Sequence, residues 1–335
     1  MITGLVACSG PEQAGQPVIL TGFTMGTTYT VKLIDPVNDE KKQVILASIE
    51  NILHEINAGM STYLEDSELS RLNNSPGQTW INISPGLYRV IEIAMEVGRL
   101  SNGAFDPTIG PVVNLWGFGP VKRDGEIPDD DEIINAMQLV GLNKIELDNK
   151  KQAIRKADNG VYIDLSGIAK GYAVDRIAYK LSENFGLNNF LVEIGGEIRT
   201  YGKNPFGENW KIGIEKPETL ERSVGEIITL GNNSLATSGD YRNFIEINGK
   251  HYSHTIDPAT GKPVTHQLSS VSVIHPECVY ADAWATTLLV AGPDRGLEMA
   301  NKNGIAALFI VRQNDSFSEL MSDRLSTFLL TGQDK

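Results

Sequence analysis

The chain has 335 residues, which at roughly 150 residues per domain is enough for two lobes or one large α/β body. Its hydrophobic content of 41% and charged content of 21% are those of a globular protein, and they exclude disorder as the dominant state. The 29 Lys and Arg residues stand against 42 Asp and Glu residues, and the resulting net charge of −13 excludes non-specific binding to nucleic acids. An anionic ligand would therefore need a local cation or a concentrated set of hydrogen-bond donors.

The first residues contain a short motif typical of exported proteins. Leu5-Val6-Ala7-Cys8, followed by Ser9-Gly10, resembles the lipobox at which bacterial lipoproteins are cleaved and acylated on cysteine. The stretch before it is shorter than a signal peptide needs, so we interpret residues 1–18 as a lipobox remnant and tether that follow a truncated or mis-started signal peptide. The alternative is a chance LVAC in a disordered start. The lipobox interpretation predicts a periplasmic protein that a lipid on Cys8 holds to a membrane.

The cysteine count and the hydropathy exclude two further classes of protein. Cys8 and Cys278 are too few for a disulfide scaffold or a structural zinc cluster. Cys278 is expected to be a buried small hydrophobe between a strand and a helix. Because no run of about 18 apolar residues is present, no transmembrane helix is expected.

Hydrophobic periodicity predicts a mixture of strands and helices along the chain. An alternating run predicts a strand over 27–34, and one apolar helical face predicts a helix over 39–58. Ser84 before Pro85 is a typical helix start and predicts a helix to about residue 100, and a short helix is expected over 130–140. Further strands are predicted over 160–165, 189–202, 210–215, 244–247, 268–275 and 306–311, and further helices over 169–183, 280–290 and 293–303. This order favours an α+β fold over a simple βαβ repeat.

Several common catalytic motifs are absent from the sequence. It contains no GxxxxGK[ST] phosphate loop, no GxSxG nucleophile elbow and no HExxH zinc motif, and the glycines around Trp116 do not complete a GxGxxG. The acidic run over 124–132 is interpreted as helix-capping and solvated carboxylates, because acidic groups at a helix start are stabilised by the helix dipole. His54 lies in a predicted amphipathic helix and is interpreted as structural.

Two Asp-Pro turns form the first pair of candidate clusters. Asp106-Pro107 lies between Gly103 and Gly110, and this combination predicts a rigid turn whose backbone can approach a ligand. His254-Thr255-Ile256-Asp257-Pro258 repeats the pattern with a histidine that could act as a base or contact a phosphate. An ordinary turn and an ordinary hairpin loop are the alternatives.

The other two candidate clusters lie at predicted helix starts. Asp164-Leu165-Ser166-Gly167 enters a helix that carries Lys170 in its first turn, an arrangement suited to a phosphate; the alternative is a capped helix with a solvated lysine. Asp282 and Thr286 are four residues apart on an apolar helix and therefore share a face. A carboxylate and a hydroxyl are oxygen ligands of the kind that Mg²⁺ prefers, whereas helix capping and packing are the alternative.

Eight motifs in this order make the chain resemble the ApbE-type FAD:protein FMN transferases. Besides the four clusters, the matching segments are Met25-Gly26-Thr27-Thr28-Tyr29, the region from Met60-Ser61-Thr62-Tyr63 to Asn73, Glu193-Ile194-Gly195-Gly196-Glu197 and Ala236-Thr237-Ser238-Gly239. The resemblance covers nearly all of the chain after residue 20, and it implies one flavin transferase domain over 19–335. The implied fold is a T-fold-like α+β body with a flavin cleft between a main lobe and a smaller lobe.

The resemblance also implies roles for individual residues. The FAD would be lined by Met25, Tyr63, Ala104, Phe105, Asp106, Asp164, Lys170 and Ile256. A Mg²⁺ ion would be held by Asp282, Thr286 and the backbone carbonyl of Gly167, and His254 would assist proton transfer as a catalytic residue together with Asp282.

The implied reaction is the Mg²⁺-dependent transfer of FMN from FAD to a threonine hydroxyl of a target flavoprotein, with release of AMP. The expected acceptor is a subunit of a membrane redox complex or another exported flavoprotein. Two alternatives stay open at this point: a Mg²⁺-dependent FAD pyrophosphatase that gives FMN and AMP, and a non-catalytic FAD-binding lipoprotein.

Overall fold

An eight-stranded antiparallel sheet is the largest element of the computed structural model, which describes residues 16–121, 123, 126–215, 224–239, 244–247, 250–313 and 316–329. The strands are β1 Val18–Thr24, β2 Thr27–Leu33, β3 Trp80–Asn82, β4 Ile145–Asp148, β5 Ala153–Lys156, β6 Phe190–Ile194, β7 Glu197–Tyr201, β8 Lys211–Glu215, β9 Val224–Thr229, β10 Ser234–Gly239, β11 Phe244–Ile247, β12 Lys250–Ser253, β13 Ile256–Asp257, β14 Lys262–Pro263, β15 Leu268–His275, β16 Ala306–Gln313 and β17 Ser316–Met321. The α-helices are α1 Asp39–Met60, α2 Glu68–Asn73, α3 Pro85–Leu100, α4 Gly110–Leu115, α5 Asp130–Met137, α6 Ala169–Tyr179, α7 Cys278–Ala291 and α8 Pro293–Lys302. The mixed α+β fold predicted from the sequence is confirmed.

The main sheet has the strand order β1-β2-β6-β7-β10-β15-β16-β17. Helix α7 packs against β10 and β15, α6 packs against β6, β7 and α7, and α1 and α3 lie outside these two helices. The main apolar core fills the space between the helices and this face of the sheet. The two central helices of the fold are thus the two that carry Lys170 and Asp282.

The central strands are buried on both faces, as their near-continuous apolar sequences require. In β15, Val271 and Val273 belong to the main core, whereas Ile274 belongs to a second apolar cluster on the other face. In β16, Phe309 faces the main core and Leu308 faces the second cluster. The second cluster also takes residues from β8, β9 and the final 3₁₀ turn, Asp323–Phe328, which therefore cover the far face of the sheet.

A third, smaller apolar cluster lies around α4 and α5. Its buried members are Val112, Trp116, Ile133 and Ile256. Helix α5 begins with a capping box in which the Asp129 side chain accepts from the Glu132 amide at 2.8 Å. This confirms the helix-capping interpretation of the acidic run for its described residues. The prediction of two lobes with a cleft between them stays a prediction.

Several of the predicted elements differ from the structure. The prediction of a strand over 160–165 is wrong. The backbone of this segment instead forms hydrogen bonds with the Asn73 side chain, through the Ile163 amide (2.8 Å) and the Ile163 carbonyl (2.9 Å). The strand predicted over 189–202 is two strands, β6 and β7, joined by a tight turn at Gly195 and Gly196, which have φ of 61° and 105°. The helix predicted over 169–183 ends at residue 179 and continues as a π-helical turn, Lys180–Asn184.

Helix α7 begins earlier than predicted. Cys278 was expected to lie between a strand and this helix, but it is the first residue of the helix. Its side chain is buried, as predicted. Asp282 consequently lies in the second turn of α7, where it has no role as a helix cap. None of the helices in the described part of the chain is both long and apolar enough to cross a membrane.

Candidate active site

Helices α6 and α7 cross closely at Gly171. A Cβ placed on Gly171 would lie 2.3 Å from the Cys278 carbonyl oxygen and 2.8 Å from the Asp282 Cβ, so a larger residue here would push the helices apart. The close approach lets the Gly171 amide donate to Asp282 Oδ2 at 2.9 Å. Asp282 is buried, with 2% of its surface exposed, and this bond fixes the orientation of its carboxylate.

Thr286 lies one turn after Asp282 on α7, and the segment that leads into α6 passes against it. A Cβ on Gly167 would lie 3.0 Å from the Thr286 Oγ1, and the Phe105 ring is also in contact with this position. The Thr286 Oγ1 lies 3.1 Å from the Ser238 Oγ on β10. The structure therefore brings together Gly167, Thr286 and Phe105, which come from three of the four sequence clusters.

Lys170 lies between two buried carboxylates. Its Nζ is 3.5 Å from Glu197 Oε1 and 3.9 Å from Asp282 Oδ1. Burial alone would lower the pKa of the Lys170 ammonium, but the charges of Asp282 and Glu197 outweigh it and raise that pKa above its ordinary value. Lys170 is thus held as a cation with 28% of its side chain exposed, in a protein that is strongly acidic overall.

Glu197 is the first residue of β7 and is 3% exposed. Burial, together with the neighbouring charge of Asp282, raises the pKa of Glu197 above its ordinary value, although the charge of Lys170 opposes the shift. Its Oε1 contacts Lys170, but its buried Oε2 has no hydrogen-bond partner among the described residues. Glu197 lies in one of the sequence segments that match the family, but no role was predicted for it. The signal that could have identified it is a charged residue directly after a Gly-Gly turn.

The hairpin between β1 and β2 approaches the same lysine. Met25 and Gly26 form its two-residue turn with φ of 50° and 72°, and a positive φ is uncommon for a methionine. Next to this turn, Thr27 packs on Gly195, where an added Cβ would lie 2.8 Å from a Thr27 methyl and 3.5 Å from the Lys170 Cδ. Met25 is therefore carried by a turn whose base packs beside Lys170.

The first Asp-Pro turn packs against the segment that leads into α6. The Asp164 amide donates to the Pro107 carbonyl at 2.8 Å, and Ile109 pairs with Tyr162. Within the turn, Asp106 Oδ1 accepts from the Thr108 amide (2.8 Å) and hydroxyl (2.6 Å). Burial raises the pKa of Asp106, and the two Thr108 bonds oppose the shift. The Asp106 carboxylate thus already holds its own turn together.

Ala104, Phe105 and Asp106 are all nearly buried, with 4%, 6% and 7% of their surfaces exposed. Phe105 is the member of this group that contacts the Gly167 position. Their predicted role in lining the FAD stays a prediction.

Tyr63 is the most open of the predicted ligand-binding residues, with 63% of its surface exposed. Its hydroxyl donates to the Phe118 carbonyl at 3.2 Å. Partial burial raises the pKa of Tyr63, and the charge of Asp164 raises it further, which places the two residues near each other. Asp164 Oδ1 accepts from the Ser166 amide at 2.7 Å and so shapes the turn before Gly167.

The second Asp-Pro turn is tied to the third apolar cluster. The Trp116 Nε1 donates to the Gly261 carbonyl at 2.9 Å, and Ile256 is buried with 6% of its surface exposed. Strand β13, which begins at Ile256, packs against α7. His254 lies two residues before Ile256 and is half-buried. The fold therefore places the His254 loop beside the helix that carries Asp282.

The start of α6 differs from the predicted phosphate site. The Ala169 amide donates to the Leu165 carbonyl at 2.9 Å, and the Gly171 amide donates to Asp282. These two donors of the first turn are already used within the protein. A phosphate near this turn would therefore meet chiefly the Lys170 ammonium.

The chain is similar to known proteins over most of its length. The sequence model of the ApbE family matches residues 25–309. The chain belongs to the ApbE family. It is 45% identical over 325 residues to an FAD:protein FMN transferase of Haemophilus influenzae, with 95% of this chain and 92% of that protein covered. It is 41% identical over 328 residues to the protein of the same name from Vibrio cholerae, with 98% and 97% covered.

Solved ApbE structures have the same fold as this chain. The flavin transferase ApbE from Vibrio cholerae superimposes with a TM-score of 0.86 at 41% identity and covers 94% of this chain and 99% of that one. The apo form of the Pseudomonas stutzeri flavinyl transferase ApbE gives a TM-score of 0.86 at 36% identity, with 95% and 98% covered. The family resemblance inferred from the motifs is therefore confirmed.

Proposed function

We propose that this chain is an FAD:protein FMN transferase that moves FMN from FAD onto a threonine hydroxyl of an acceptor protein and releases AMP. The observation that carries the proposal is the packing of Gly167 against Thr286, one helical turn beyond Asp282, together with the Lys170 Nζ that lies 3.9 Å from Asp282 Oδ1. Supporting it, the chain is similar over nearly its whole length to proteins that bear this name.

The reaction is a phosphoryl transfer. The acceptor hydroxyl oxygen forms a bond to the FMN-side phosphorus of FAD, and the bond from that phosphorus to the bridging oxygen breaks. AMP leaves with the bonding electron pair, and the hydroxyl proton passes to a base. Catalysis of such a transfer depends mainly on positioning and on neutralising the charge that develops on the phosphate oxygens.

The residues around Asp282 fit a magnesium ion. The candidate oxygen donors are the Asp282 carboxylate, the Thr286 hydroxyl one turn later on α7, and the backbone carbonyl of Gly167, a residue that packs against Thr286. The described residues contain no cluster of three His, Cys, Asp or Glu side chains that could hold a metal, so a site here would need the hydroxyl and the carbonyl as ligands. When bound, Mg²⁺ would neutralise pyrophosphate charge and stabilise the departing AMP.

The chain's own groups supply the remaining functions. Lys170 provides a fixed positive charge for the pyrophosphate, since its two carboxylate neighbours keep it protonated. Met25, Tyr63, Ala104, Phe105, Asp106, Asp164 and Ile256 would bind and orient the FAD. His254 would accept the hydroxyl proton, because a neutral imidazole is a suitable base near neutral pH.

We further propose that the protein works in the bacterial periplasm, held to a membrane by a lipid on Cys8. The support is the Leu5-Val6-Ala7-Cys8 motif, which lies outside the described residues. The acceptor would then be an exported flavoprotein or a subunit of a membrane redox complex. Intact mass of protein expressed from the full gene tests this, and an unmodified, uncleaved Cys8 would contradict it.

The function is tested by incubating the purified protein with FAD, Mg²⁺ and a candidate acceptor. The proposal predicts AMP release and an acceptor that fluoresces as a flavin after denaturation. Free FMN with an unmodified acceptor would indicate a pyrophosphatase instead. The absence of AMP with every acceptor tried, despite FAD binding, would indicate a non-catalytic flavin-binding protein.

A further inference from the structure

Glu197 is a buried charged group that the proposed reaction leaves without a role. It begins β7 directly after the Gly195-Gly196 turn, and 3% of its surface is exposed. One of its oxygens lies 3.5 Å from the Lys170 Nζ, and the other is buried without a hydrogen-bond partner among the described residues. A carboxylate with an unsatisfied buried oxygen costs free energy, so its presence requires a reason beyond packing.

The reason lies in the competition at Asp282. In the structure, Lys170 is shared between Glu197 at 3.5 Å and Asp282 at 3.9 Å. A divalent cation on Asp282 would repel the ammonium and remove this second partner. Without another carboxylate, Lys170 would either compete with the cation for Asp282 or leave the site. The contact of Lys170 with Glu197 is shorter than its contact with Asp282, so Glu197 is placed to retain the lysine.

The backbone supports this interpretation. Gly195, in the turn before Glu197, lies against the Lys170 stem, and an added Cβ there would be 3.5 Å from the Lys170 Cδ. The same short segment thus contacts the lysine along its aliphatic part and at its charged end. Because β7 pairs with both β6 and β10, the segment is fixed within the central sheet.

We propose that Glu197 is a positioning residue that keeps the Lys170 ammonium in the site when a divalent cation occupies Asp282. This inference rests on the proposed magnesium dependence. It assigns Glu197 an action through Lys170 and not a direct contact with the metal. Its signature is therefore a coupling between the two residues in magnesium affinity.

The test is a double-mutant cycle read out as the Kd for Mg²⁺, measured by calorimetry on the full protein without FAD. The four proteins are the wild type, Glu197→Gln, Lys170→Met and the double variant. Glu197→Gln keeps the side-chain volume and removes the charge, so Lys170 is left with Asp282 as its charged partner. We expect Mg²⁺ to bind about tenfold more weakly to this variant, and the loss to shrink below about twofold when Lys170 is replaced by Met.

A loss of the same size in both backgrounds would overturn the proposal, because Glu197 would then act on the cation directly. An unchanged Kd in Glu197→Gln would also overturn it and leave the proposed metal dependence intact. A wild type that binds no Mg²⁺ would overturn both. Glu197→Asp retains the charge and is expected to bind Mg²⁺ within about threefold of the wild type, even if Glu197→Gln folds poorly.

Discussion

Replacing Asp282 with Asn tests the site most directly among single substitutions. The Asp282 carboxylate accepts from the Gly171 amide at 2.9 Å and faces Lys170 at 3.9 Å. An amide oxygen can still accept from Gly171, so the helix contact survives while the negative charge is lost. Asp282→Ala would instead leave the buried Gly171 amide without an acceptor, which costs about 1–3 kcal/mol. The Asn variant is therefore the cleaner probe, although we expect Asp282→Ala also to lose its magnesium-dependent turnover while retaining the fold.

The expected effects on stability and on activity differ greatly in size. In Asp282→Asn, Lys170 still has Glu197 as a charged partner. We therefore expect this variant to lose only about 1 kcal/mol in the free energy of unfolding. For a chain of 335 residues that corresponds to a fall in Tm of about 1–2 °C. Removing the carboxylate from the centre that would neutralise the pyrophosphate should reduce kcat at least about 100-fold.

The assay is AMP release at increasing Mg²⁺ concentration, with a thermal melt of the same preparation. Asp294→Asn is the matched control, because Asp294 is an exposed carboxylate in the first turn of the neighbouring helix α8. It should leave both turnover and Tm unchanged. Near-normal, magnesium-dependent turnover in Asp282→Asn would refute the assignment of Asp282 to the metal.

Three further substitutions test other parts of the site. Gly167→Ala places a methyl 3.0 Å from the Thr286 hydroxyl and should lower turnover at least about tenfold. Gly59→Ala is the control, because outside the helix backbone around Gly59 the added methyl would meet no atom of the described residues within 4 Å, and equal activities of the two variants would remove Gly167 from the site. Tyr63→Ala should weaken FAD binding about tenfold in a fluorescence titration. Tyr179→Ala is the control, because Tyr179 is 64% exposed and Tyr63 is 63% exposed; it should leave FAD binding unchanged, and equal losses in both variants would contradict a specific role for Tyr63. His254→Ala should lower kcat about 100-fold with little change in the Kd for FAD, and an unchanged kcat would exclude it as the base.

The sequence predicted those parts of the fold that depend on local pattern. The long amphipathic helices α1 and α3 begin where Asn38 and Ser84 cap them, and β15 has the predicted bounds. These elements are set by periodicity and by capping residues, both of which are visible within a short window.

The elements that were missed or wrong depend on pairing with other segments. The segment 160–165 alternates like a strand, but Asn73, remote in sequence, satisfies the backbone of Ile163 with its side-chain amide. This contact cannot be inferred from local composition. Strand β1 has an exposed Ile19 and Phe23, and it is a strand because it pairs with the predicted strand β2 across the Met25-Gly26 turn.

The candidate site follows the same division. Asp282 and Thr286 could be paired from the sequence because helical spacing places them on one face. The positions of Glu197 beside Lys170 and of Ser238 beside Thr286 depend on the pairing of β7 and β10 next to α7, which no local sequence pattern reveals. The net charge of −13 indicated that any anionic ligand would need a local cation. Lys170, which lies between the carboxylates of Glu197 and Asp282, is such a cation.

The mass of an acceptor protein after incubation with this protein, FAD and Mg²⁺ tests the central claim most directly. We expect a gain in mass equal to one FMN phosphoester on the acceptor, located on a threonine, with one AMP released for each modified molecule. An acceptor of unchanged mass, in a reaction that releases AMP together with an equal amount of free FMN, would contradict it.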